Sequence, residues 1–134
     1  MASAATEQSL KVRMARAASG GLATDVEQAI REFDAACETV SECVARLVTL
    51  QGERPRQKTN ALVRLCTQPH PVTGKAYSVS QAEDVLQLDE AYAAFKARTA
   101  ALEAAVREAG DARESARMVV DLRIAEFKQA GGLR

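Results

Sequence analysis

Tryptophan is absent from this chain, histidine occurs once, and only 4% of its 134 residues are aromatic. A chain this poor in large rings and rich in Ala, Glu and Arg is suited to long helices packed on one another, and its composition argues against a β-sandwich. Three cysteines, Cys37, Cys43 and Cys66, are an odd number without a close-spaced pair. They form no disulfide framework and fit a reducing compartment. No apolar run approaches the roughly 20 residues that span a bilayer, and no secretory apolar stretch follows the start. A soluble, cytoplasmic protein is expected, with no membrane partner.

Neither sign of charge is in excess, since 18 Lys and Arg balance 18 Asp and Glu. The balance is uneven along the chain: residues 24–50 carry a net charge of −4 and residues 51–79 a net charge of +4. A basic centre lies between acidic flanks. Residues 1–23, with Lys11, Arg13 and Arg16 in an Ala/Ser-rich setting, share features of an organellar transit peptide and are read as a mobile or weakly helical tail.

What is present is helical periodicity. A capping box at Thr24–Glu27 predicts a helix over about 24–51. Its apolar seam is Val26, Ile30, Phe33, Cys37, Val40, Val44 and Leu47, spaced alternately by four and three residues as in a heptad repeat. Ala29 and Ala36 lie at its edge. Pro55 then predicts a stop, and a short helix over about 61–66, capped by Thr59 or Asn60, is expected within a basic connector over 52–79. The prolines at 69 and 71 with Gly74 read as turn chemistry, irregular or a β-hairpin with Val72 facing Tyr77.

A second capping box at Ser80–Glu83, and a fresh cap at Asp89, predict a long helix or helices over about 80–129. Its seam runs Tyr92, Phe95, Thr99, Leu102 and Val106, and continued in register it would bring Arg113 and Arg123 inward. The apolar stripe is expected to shift instead to Ala109, Ala112, Ala116, Val120, Ile124 and Phe127. The helix is expected to run through Gly110 and to end at Gly131 and Gly132. The fold class is all-α: an antiparallel long-helix hairpin or coiled-coil-like bundle, with residues 24–134 as one domain. The second block outruns the first, so Leu102, Val106, Ala109, Ala112, Ala116, Val120, Ile124 and Phe127 are the expected interface of a homo-oligomer, a dimer first.

Chemistry is scarce. His70 stands between two prolines without a positioned nucleophile, and Cys37, Cys43, Cys66 and His70 match no common zinc spacing. Thr73-Gly74-Lys75 resembles the end of a phosphate loop, but the upstream glycine, the following Ser or Thr and the preceding strand are all missing. No catalytic residue, metal, cofactor or small-molecule substrate is expected. The remaining candidate is the basic connector, Arg54, Arg56, Lys58, Arg64 and Lys75 with Tyr77. Read functionally, it binds DNA or RNA phosphates, with Tyr77 stacking on a base. Read otherwise, it is a solvated loop answering its acidic flanks.

Residues 70–95 also carry a Pro-x-Thr-Gly-Lys-x-Tyr-Ser turn (Pro71 to Ser78), then Ser80 to Glu83 and Asp89 to Tyr92. The segment resembles small helical proteins of tailed phages and prophages. That resemblance implies a phage-derived helical protein, encoded near DNA-recombination functions. Two functions are carried forward: a non-enzymatic oligomerisation or interaction protein, and a nucleic-acid-binding accessory.

Overall fold

In a computed structural model of the chain, residues 20–69 and 74–131 are described, and they are helical without a strand. The order is α1 (Gly21–Gly52), α2 (Arg54–Thr67), α3 (Val79–Asp84), a 3-10 turn (Leu86–Leu88) and α4 (Glu90–Gln129). The chain divides into two compact units. One joins residues up to Ser41 with those from Glu108 onward, and the other is Glu42–Arg107.

Helix α1 starts at Gly21, so Thr24 sits inside the first turn rather than at the cap, and residues 21–23 belong to the helix, not to a tail. The rest of the expected tail, 1–19, lies outside the described residues. Of the expected seam, Val26, Phe33, Cys37, Val40 and Leu47 are covered, whereas Ile30 and Val44 are exposed; Leu22, Ala29, Ala36, Cys43 and Leu50 are covered beside them. Ala29, Ala36 and Cys43 are small enough to let another helix approach closely, which a branched Ile or Val would prevent.

The first helix ends at Gly52, ahead of Pro55 as expected, and Pro55 also begins the next one. It sits in the first turn of α2, where no amide donor is required and its fixed φ is already helical. The connector is therefore largely a 14-residue helix, and Thr59 and Asn60 lie within it. Gly74 has φ of +67°, as the turn chemistry requires. Residues 74–78 form no strand, and Val72 of the expected hairpin pair lies outside the described residues. The box that opens α3 is built from Ser78 and Gln81, two residues before the expected one: the Gln81 amide donates to the Ser78 hydroxyl, and the Ser78 amide to Oε1 of Gln81.

Helix α4 runs unbroken through Gly110 for 40 residues, and Gly131, at φ of +79°, closes its end by donating its N–H to the Lys128 carbonyl. Its seam keeps the first register further than expected. Ala112 is exposed, whereas Arg123 is four-fifths covered and pairs with Glu126 at 3.0 Å. The aliphatic stem of an arginine can lie along a seam while its head is paired. Arg113 stays exposed.

Within Glu42–Arg107, the core is Ala61 of α2 against Tyr92 and Phe95 of α4, with Leu50 and Leu86 packed around them. Helix α2 also packs on α3 and the 3-10 turn. Phe95 is 2% exposed, and its ring stacks with Tyr92 at 6.3 Å. Replacing Phe95 by Ala is expected to cost about 3–5 kcal/mol in urea unfolding. A loss below about 1 kcal/mol would show that this cluster is not the core.

Candidate functional site

The basic centre of the sequence is split by the fold. At about 100° per residue, Arg54 and Lys58 fall on the side of α2 that carries Ala61, and Arg56 on the opposite side. Arg64 is held by Asp89 in a two-pronged pair, Nε to Oδ1 at 2.9 Å and Nη2 to Oδ2 at 2.8 Å. Lys75 is exposed on the extended segment. Tyr77 is half-buried, its amide bonded to the Leu65 carbonyl.

Asp89 has two roles. Its Oδ2 also accepts the amide of Tyr92 at 2.9 Å, which makes it the N-cap of α4, as the sequence predicted, while its side chain is 8% exposed. The Arg64 hydrogen bonds hold the Asp89 carboxyl below the usual range; the Tyr92 amide adds to this, and burial opposes it. The same contact raises Arg64. Arg64 thus fastens α2 to the start of α4.

The cations that do converge are Arg54, Lys58 and Lys96. They border a groove of about 530 Å³ between the first turns of α2 and the face of α4, floored by Leu86 and Tyr92, with Glu83 also on its wall. Arg54 and Lys96 border a second, smaller groove of about 220 Å³ that reaches Thr99 and Glu103. None of the three cations has a carboxylate within ion-pairing distance among the described residues. The Lys96 ammonium stands 6.0 Å from the centre of the Tyr92 ring. Lys96 is not legible as part of the set from residue order, because it stands far from Arg54 and Lys58 in the chain. The available signal was Pro55: once it is read as a helix start, Arg54 and Lys58 become an i,i+4 pair facing the core.

The expected interface residues are mostly turned inward. Ala109 is buried, Leu102, Val106, Ala116, Val120, Ile124 and Phe127 are half-buried, and only Ala112 is open. The open apolar ridge of α4 is Met118, Val119 and Leu122, at 62%, 36% and 52% exposure. Ser115 and Ala125, both exposed, extend it at heptad spacing. Beside it, Arg117 pairs with Glu114 and lies 3.6 Å from Asp121, so these charges are answered within the helix.

Cys37, Cys43 and Cys66 are free thiols, each half-buried. Among the described residues, no three His, Cys, Asp or Glu side chains are grouped to hold a metal, and no helix is long and apolar enough to cross a membrane. His70 lies outside them.

Because the native carboxyl of Asp89 gives up its proton more readily than the unfolded one, its contribution to stability is complete above about pH 4 and fades as pH falls through the depressed native value. Asp89→Asn keeps an acceptor for the Tyr92 amide and removes the charge. It is expected to lose about 1–3 kcal/mol at neutral pH, nearer the lower figure because Arg64 is a third open to water, and to flatten the fall in stability below pH 4. Thermal unfolding of both proteins across the acid range checks this, and parallel curves would exclude the pair.

Comparison with protein-family models, curated proteins and solved structures finds no match to this chain.

Proposed function

We propose that this chain is a non-enzymatic helical interaction protein, an antiparallel long-helix hairpin of coiled-coil type that works as a homo-oligomer in the cytoplasm. The observation that carries the reading is the ridge of Met118, Val119 and Leu122 on α4. The opposite stripe of the same stretch, Ala116, Val120 and Ile124, is already half-buried, so this helix is apolar on two sides. A helix of that kind is stable when both sides are covered. A second copy fits the outer side, because heptad-spaced positions from Ser115 to Ala125 are self-complementary across a two-fold axis.

The phage or prophage resemblance belongs to this proposal and supports architecture before chemistry. Of its residues, Ser78 and Asp89 cap helices and Tyr92 fills the core. These are the positions that shape the junction.

Light scattering coupled to gel filtration is expected to give at least twice 14.4 kDa. Leu122→Glu together with Met118→Glu should return the protein to one chain without loss of helix content, since both side chains are exposed. A 14.4 kDa particle for the unaltered protein at tens of micromolar sinks the reading.

A further inference from the structure

We propose that the track formed by Arg54, Lys58 and Lys96 binds the phosphodiester backbone of a nucleic acid. This goes beyond the self-association reading and rests on a different part of the chain. Three cations from two helices point into one groove, and none is answered by a carboxylate at pairing distance among the described residues. Three like charges gathered on one surface repel one another, and an anion bound among them removes that cost while releasing counterions. The first turn of α2 adds amide dipoles of the same sign, with Arg54 and Pro55 at its head.

The shape favours a chain over a small ion. Arg54 and Lys96 border both grooves, so the basic surface continues along α4 from the level of Leu86 to that of Thr99. Tyr92, the aromatic beneath it, is buried and gives no platform for a base. Recognition is therefore of the backbone, without sequence preference. Glu83 and Glu103, one in each groove, keep the attraction moderate. The set differs from the one legible in sequence, because Arg64 is taken by Asp89 and Arg56 faces away.

Fluorescence anisotropy with a labelled single strand and a labelled duplex of about 30 nucleotides, titrated from about 50 to 200 mM salt, tests the assignment. Three neutralised phosphates predict a log–log salt slope of about −2 to −3. Lys96→Glu should weaken binding by about tenfold or more, and Lys96→Gln, which keeps the stem beside Tyr92, by about threefold. Arg107→Glu makes the same charge change on exposed α4 outside both grooves and should alter affinity by less than about twofold. Absence of binding at about 50 mM salt overturns the proposal, as does an equal loss from Arg107→Glu. Capture of inorganic polyphosphate but neither oligonucleotide would also overturn it. Light scattering on the same samples keeps this outcome separate from that of self-association.

Discussion

The junction of α2 with α4 depends on what Asp89 does with its two oxygens. A carboxylate at a helix start satisfies one backbone donor, and a carboxylate beside an arginine satisfies a guanidinium; Asp89 does both while almost wholly covered. Burial alone would favour its protonated form. The arginine reverses that preference, and the ion pair in turn fixes where α2 lies. Ala61 can then sit fully buried on Tyr92 and Phe95. Loss of Arg64 would leave the nearly covered Asp89 carboxylate without its counter-charge, which costs more than a missing surface contact.

The same economy of size governs α1. Ala29 and Cys43 are covered, whereas the bulkier Ile30 and Val44, one residue on, are exposed; Ala36 and Cys37 are both half-buried. Apolar content argues for the larger residues and close approach of helix backbones for the smaller; at positions 29/30 and 43/44 the smaller is covered. Arg123 on α4 shows the complementary solution: a long side chain admitted to the seam because Glu126 meets its head.

Much of this was readable from residue order. Helix identity, the unbroken run through Gly110, the closing glycine at 131 and the cap at Asp89 followed from local rules that tertiary contacts left alone. Failures arose where one residue has two meanings. Pro55 both follows the end of one helix and begins the next, and the second meaning, which was missed, depends on whether Arg54 to Asn60 have a surface to pack on. Ser78 and Ser80 are both possible caps, and Gln81 served the first as well as Glu83 would have served the second. Lys96 joins Arg54 and Lys58 only in three dimensions, so no count of neighbouring charges could have assembled that track.

The amide of Tyr92 gives the most direct access to the junction. Lying in the first turn of α4, it has no carbonyl within its own helix to bond, and Asp89 is its acceptor. Hydrogen exchange at that one amide should be as slow as at the helix interior, and should quicken by about tenfold or more in Arg64→Gln, where Asp89 loses its counter-charge. Exchange at the rate of an open helix start, or a rate unchanged by the substitution, would contradict the view that this one carboxylate organises the junction.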